Sequence, residues 1–308
     1  GGGGVLFNND PSPEAIRTIC TAHAQFGTTA LLPTLITDTV EVNEAAIAAG
    51  KAAAAARIPG FLGLHLEGPH LALSRKGTHD PALIRPMTDG DLARLRAAAA
   101  DLPNLLCTVA AETVPAAQIR ELVDAGIVVS LGHSDATYDQ AIAAFDAGAT
   151  MATHLFNAMS QIGNREPGLV GAVLDHPKIF AGLIADGIHV HAGNIGIAMR
   201  SKRGPGRIFL VTDAMSQTGT DLTEFSLNGR TITRADGALR LADGTLAGAD
   251  LDMIDAVRFM IDTIGLPPDE AFRMASLYPA TAMGIEKTHG HLRNSAVADF
   301  VHLSGGGV

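Results

Sequence analysis

Residues 127–159, IVVSLGHSDATYDQAIAAFDAGATMATHLFNAM, leave few folds open to the chain. IVVSL is a short β-branched run that ends at Gly132-His133. Thr137, with Gln140 three residues later, has the pattern of a capping box, and Ala141, Ile142 and Phe145 then recur at helical spacing. Gly148 stands where such a helix stops. ATMAT reads as a second strand, and it ends in His154. A strand–helix–strand crossover makes its two strands parallel. Neighbouring strands lie about 5 Å apart, so His133 and His154 arrive at one end of one sheet. Two imidazoles placed that way can share a metal ion. Two unrelated loop-edge histidines would give the same pattern, and the rest of the chain must decide.

The same alternation runs through most of the chain. Helical stripes are predicted at Pro13–Phe26, Val40–Arg57, Asp91–Ala100, Ala116–Ala125, Gly168–Asp175 and Asn194–Arg200. Between them, seven strands are predicted at 28–36, 61–67, 105–110, 127–132, 150–154, 179–185 and 208–212. Strict β/α alternation implies a parallel sheet. Seven units are one short of a TIM-like (β/α)8 barrel; an open doubly wound sheet is disfavoured because there is no reversal point and no GxGxxG turn. In the barrel reading the first strand would precede residue 1, since the chain passes from GGGG straight into a helix. After Asp213 the pattern changes. Asn228-Gly229 and Asp236-Gly237 sit in alternating sequence, which predicts an antiparallel hairpin insert near 225–247. Helices follow at Leu251–Ile264, at Pro268–Ser276 and from near Pro279, with a last strand at Ala298–Leu303. The expected organisation is a catalytic barrel over 1–290 and a short tail over 291–308.

Composition narrows the function. The net charge of −10 and the lack of a long Lys/Arg run argue against nucleic acid and anionic membranes as partners. No stretch of 18 uncharged apolar residues exists, and no signal peptide is evident. Cys20 and Cys107 stand far apart without CxxC context and are expected to be buried thiols in a reducing compartment, the cytoplasm.

In a parallel barrel, functional side chains lie at the carboxyl ends of strands. Those ends carry Glu67, His133, His154, the Asp186/His189 loop and Asp213, so five of the seven bear polar, metal-capable groups. Packing alone does not explain that. Glu67, His133 and His154 supply one oxygen and two nitrogens, a set that suits Zn²⁺ and leaves room for water. Asp213 is the natural general base. All five lysines lie outside the strand ends, which argues for one metal ion, or for two bridged by Glu67. Thr78, His79, Asn157, Ala158, Arg165 and His189 stand in loops that follow these ends; an anionic substrate would account for Arg165.

Several blocks together resemble the N-acetylglucosamine-6-phosphate deacetylases of the amidohydrolase superfamily. They are HLEGPHL (65–71), KGTHDP (76–81), GHSDATYDQA (132–141), THLFNAMS (153–160), REPGLVGAVLD (165–175), ADGIHV (185–190), LVTDAMS (210–216) and LYPATAMGIE (277–286). The resemblance implies hydrolysis of N-acetylglucosamine 6-phosphate to glucosamine 6-phosphate and acetate. It implies Glu67, His133 and His154 as metal ligands, one divalent ion per subunit, most simply Zn²⁺, and Asp213 as catalytic acid/base. Thr78, His79, Asn157, Ala158, Arg165, His189, Leu246, Ala247 and Gly248 match the substrate-contacting positions. In related enzymes the arginine reaches the phosphate in a neighbouring subunit's site, which implies a homodimer. Either His79 or His189 would donate a hydrogen bond to the developing oxyanion.

Two departures from the family pattern stand out. The first barrel strand with its HxH or QxN pair is absent, and so is most of the accessory β-sandwich; the tail after 291 reads as its remnant. His70 replaces an aromatic residue found in many relatives. The competing expectations are a deacetylase for another N-acetyl sugar and a truncated, non-catalytic barrel.

Overall fold

The seven strands form one curled parallel sheet in the order β1 to β7. They are β1 (Thr34–Ile36), β2 (Leu64–Glu67), β3 (Leu105–Val109), β4 (Val128–Leu131), β5 (Met151–Ala152), β6 (Phe180–Leu183) and β7 (Ile208–Leu210). The structure is a computed structural model, and it describes residues 1–303. Each consecutive pair is joined by a helix on the outside: α2 (Val40–Ala55), α3 (Asp89–Asp101), α4 (Ala116–Asp124), α5 (Tyr138–Asp146), α6 (Gly168–Asp175) and α7 (Ala192–Ser201). α1 (Pro13–Ala24) precedes β1. Every residue of β2, β3 and β7 is buried, as expected of strands covered on both faces. α2 packs mostly through small residues, burying Ala46, Ala49, Gly50 and Ala53 with Ile47, whereas α4 buries Ile119 and Leu122.

Local sequence explains the helix starts. Ser12, Thr39, Thr88 and Thr137 each accept a backbone N–H of the first turn through the side-chain oxygen, and Thr88 and Thr137 complete capping boxes with Asp91 and Gln140. The register then aligns the strand ends. Ile36, Glu67, Thr108, Ser130 and Met151 form one row across β1 to β5. Residues just beyond that row therefore emerge together at one end of the sheet.

Three expectations are corrected. The first strand is shorter than 28–36: Pro33 has no N–H for the ladder, so pairing begins at Thr34, with only an isolated bridge between Leu31 and Phe61. The insert is a four-stranded antiparallel sheet rather than a single hairpin, built from β8 (Glu224–Leu227), β9 (Arg230–Ala235), β10 (Ala238–Leu241) and β11 (Leu246–Ala249). Its turns are Asn228-Gly229, Asp236-Gly237 and a third at Asp243-Gly244, and all three glycines have positive φ. Residues 298–303 are not a strand. They find no neighbouring strand to satisfy their backbone, and Val301 lies against Gly27 instead. Residues 304–308 of the expected tail lie outside the described residues.

The chain ends in three helices, α8 (Met253–Asp262), α9 (Pro268–Ala275) and α10 (Leu277–Ala282), the last beginning just before Pro279. Cys20 and Cys107 are buried free thiols, as expected. No helix among the described residues is long and apolar enough to cross a membrane.

Candidate active site

Glu67 is the last residue of β2, while His133 and His154 follow β4 and β5 by two residues each. The three are buried, and their ligand atoms lie within 4.8 Å of one another. Glu67 Oε1 is 3.2 Å from Nε2 of both histidines, and the two Nε2 atoms are 3.0 Å apart. His133 Nδ1 lies 2.8 Å from the Arg75 carbonyl, which can only accept. Its proton therefore sits on Nδ1, and the Nε2 lone pair faces the centre. Glu67 Oε1 has no well-directed hydrogen bond. Acceptor atoms converging on one point are unfavourable unless a positive charge sits among them. In the metal-free protein a proton fills that role. Burial opposes the charge on His154, but the Glu67 carboxylate 3.2 Å away outweighs it and pushes the imidazole up to about 9. Burial likewise opposes the Glu67 carboxylate, yet the imidazoles of His133 and His154 beside it hold it well below its ordinary value. A divalent cation suits the same N₂O donor set, so the residues present fit a metal ion.

The backbone bends sharply at each strand end. His133, His154 and Asp213 have φ of 47°, 34° and 51°, in the left-handed region that non-glycine residues avoid. Each is held there by a hydrogen bond to its carbonyl: from Ala72 to His133, from Asn157 to His154 and from Ala249 to Asp213. The last of these ties the insert sheet to the end of β7.

Asp213 lines the same cavity, of about 1400 Å³, as the three candidate ligands. The residue is exposed to solvent. Even so, crowding by the walls of the cavity disfavours its charged form and raises its pKa above the ordinary aspartate value, although His154 and His189 oppose the rise. Thr78, His79, Asn157, Ala158, His189, Leu246 and Gly248 also face the cavity. Two predicted positions do not. Arg165 is exposed in the loop before α6, outside the cavity of its own chain. Ala247 alternates with Leu246 and Gly248 along β11, so its side chain turns into the insert core with Leu227, Ile232 and Leu239.

His189 is held by Asp186, with Nδ1 2.6 Å from Oδ2. His79 is 2 % exposed, its Nε2 lies 4.0 Å from Glu67 Oε2, and burial lowers it to about 3, so it stays neutral. Beneath the centre lies a buried polar belt. Thr34 Oγ1 meets His65 Nδ1 at 3.0 Å, and His65 Nε2 meets Thr108 Oγ1 at 2.8 Å. Thr153 Oγ1 then bridges Thr108 Oγ1 and Ser130 Oγ, at 2.7 Å each.

Sequence reasoning left the ends of β1 and β3 empty, yet both contribute. Glu112, after β3, accepts from Ser134 Oγ and the Asp135 N–H at 2.5 Å each and so grips the turn that follows His133. Thr37, after β1, bonds His79. Neither carries a metal-binding pattern in sequence, and their partners are distant in the chain.

Residues 5–305 match the Amidohydrolase family. The chain belongs to that family. It is 44% identical over 281 residues to the N-acetylgalactosamine-6-phosphate deacetylase of Shewanella sp. (strain ANA-3), covering 91% of this chain and 70% of the relative. It is 37% identical over 311 residues to the N-acetylglucosamine-6-phosphate deacetylase of Haemophilus influenzae, covering 97% and 78%. The crystal structure of N-acetylglucosamine-6-phosphate deacetylase from Pasteurella multocida superposes with a TM-score of 0.92 at 39% identity, covering 97% of this chain and 78% of that one.

Proposed function

We propose that this amidohydrolase is a deacetylase that hydrolyses N-acetylglucosamine 6-phosphate to glucosamine 6-phosphate and acetate. The observation that carries the reading is the convergence of Glu67, His133 and His154 on one point in the cavity that Asp213 lines. The likeness to the deacetylases of Haemophilus influenzae and Pasteurella multocida supports it. We read the curled sheet as a TIM-like (β/α)8 barrel, with the place of one further strand between β1 and β7, which both line the cavity.

One divalent ion, Zn²⁺ in our reading, would be held by Glu67, His133 and His154, and would supply Lewis-acid polarisation of the amide carbonyl and activation of water. Asp213 takes a proton from the attacking water and delivers it to the departing sugar nitrogen as the C–N bond breaks. Its raised pKa favours the return of that proton. Either His79 or His189 donates a hydrogen bond to the reacting carbonyl. Thr78, Asn157, Ala158, Leu246 and Gly248 shape the sugar site, and Ala247 supports them from the insert core. Arg165, outside its own cavity, serves the phosphate in the site of a second subunit, so the working form is a homodimer in the cytoplasm.

The test is acetate release from N-acetylglucosamine 6-phosphate, its galactosamine epimer and unphosphorylated N-acetylglucosamine. The epimer belongs in the assay because the Shewanella relative is named for it. Turnover of the phosphorylated glucosamine substrate, with a kcat for Asp213→Asn lower by roughly 10²–10⁴, is the expected result. Equal turnover by Asp213→Asn would overturn the reading.

A further inference from the structure

Thr37 follows β1 directly and is 0% exposed. Both of its donors meet one atom of His79. The Thr37 backbone N–H lies 3.3 Å from His79 Nδ1, and Thr37 Oγ1 lies 2.7 Å from the same nitrogen. A backbone N–H donates and never accepts, so Nδ1 carries a lone pair there. The imidazole is then neutral, and its single proton is on Nε2. The Thr37 hydroxyl has one proton and two acceptors in reach, His79 Nδ1 at 2.7 Å and the Glu67 carbonyl at 3.5 Å. The shorter contact takes it.

The neighbourhood is shaped to admit this pair. Gly68 has φ of 84°, and a Cβ on it would stand 2.2 Å from Thr37 Oγ1. The backbone before His79 is fixed as well: the Thr78 carbonyl accepts from the Arg230 guanidinium of β9, and the His79 N–H donates to the Lys76 carbonyl at 3.0 Å. The His79 ring packs edge-on to His133, with centroids 4.4 Å apart, and Nε2 points toward the candidate metal centre.

We propose that Thr37 is a positioning residue that locks His79 in the Nε2–H tautomer, so that His79 presents a fixed donor to the carbonyl oxygen of the bound N-acetyl group. The proposal rests on the deacetylase reading for its substrate, but the tautomer is a property of the protein alone. It also selects between the two candidate donors. His189 Nδ1 is engaged by the Asp186 carboxylate, which orients that ring, whereas His79 Nδ1 is held by the neutral donors of Thr37 and so the ring donates as a neutral group.

The experiment compares wild type, Thr37→Val and Thr37→Ser. The first readout is a long-range proton–nitrogen correlation spectrum of histidine-labelled protein, with and without Zn²⁺, in which His79→Gln assigns the His79 signals. The wild type should show a lone-pair nitrogen at Nδ1 and an N–H at Nε2. Thr37→Val keeps the backbone N–H but loses the shorter hydroxyl contact, so part of its His79 population should shift to the opposite tautomer, and Thr37→Ser should restore the wild-type pattern. In steady-state deacetylation, Thr37→Val should lose about tenfold in kcat, the worth of one hydrogen bond to the reacting group, with KM unchanged; Thr37→Ser should recover most of that loss. An N–H at Nδ1 in the wild type overturns the proposal. So does a fall in kcat without a change in tautomer, which marks a purely structural role. If no chain deacetylates, the spectra still decide the tautomer, and the failure belongs to the substrate reading.

Discussion

Replacing Asp91 by Asn removes one carboxylate that ties together the outer end of the loop between β2 and α3. Asp91 is 4 % exposed. Its two oxygens accept from both terminal nitrogens of Arg85, from Arg94 Nη1 at 2.9 Å, and from Thr88 N and Oγ1 at 3.0 and 2.7 Å. Arg85 in turn closes the loop that carries Thr78 and His79: its N–H donates to the Pro69 carbonyl, and its carbonyl accepts from His70 Nδ1, both at 3.1 Å. His70, the departure from the family pattern, is thus part of this clasp. Breaking a fully buried ion pair costs about 3–5 kcal/mol. Arg85 is 36% exposed and Arg94 27%, so solvent screening reduces the expected loss to about 2 kcal/mol.

The pH dependence follows from the direction of the shift. The Arg85 hydrogen bonds hold the Asp91 carboxyl far below the ordinary aspartate value. In acid the unfolded chain takes up this proton before the folded one does. The contribution is therefore fully present above the unfolded pKa of about 4 and is lost as pH falls below it toward the depressed folded value. Urea unfolding of wild type and Asp91→Asn at pH 7, 5 and 3 reads the difference, and acid effects of Glu67 cancel because both chains contain it. The expected gap is about 2 kcal/mol at pH 7 and 5, narrowing at pH 3. A gap below about 0.5 kcal/mol at neutral pH, or one that stays constant on acidification, would refute the reasoning.

Gly68→Ala should destabilise the fold by about 2 kcal/mol or more, since it combines a left-handed backbone with the 2.2 Å approach to Thr37; thermal unfolding measures it, and an unchanged Tm would contradict the packing described. Thr153→Val removes the hydroxyl that bridges Thr108 and Ser130 in the buried belt. The expected loss is about 2 kcal/mol, because Ser130 is left without that partner, and denaturant titration should show it as a lower midpoint at constant m.

The parallel sheet was legible because β/α alternation and β-branched runs act locally, and strand ends inherit their positions from the sheet. That is why Glu67, His133, His154 and Asp213 were visible as one constellation. Thr37 was not, because LPTLIT reads simply as more strand, and its partner lies 42 residues on in an aperiodic loop. Glu112 follows AA after β3 and resembles an ordinary helix-start carboxylate, although it holds the turn after His133. At 298–303 the apolar pattern misled, because alternation marks a strand only where a neighbouring edge can pair with it. Arg165 illustrates the remaining gap: sequence flagged the charge, but the residue stands exposed outside the cavity of its own chain.

The most direct test of the account is a calorimetric titration of metal-free protein with Zn²⁺, for wild type and Glu67→Gln, with acetate release measured on the same samples. The account predicts one equivalent bound per chain, deacetylation that appears in proportion to occupancy, and loss of both in the variant. Zinc binding that is unchanged in Glu67→Gln, or turnover by rigorously metal-free protein, would contradict it.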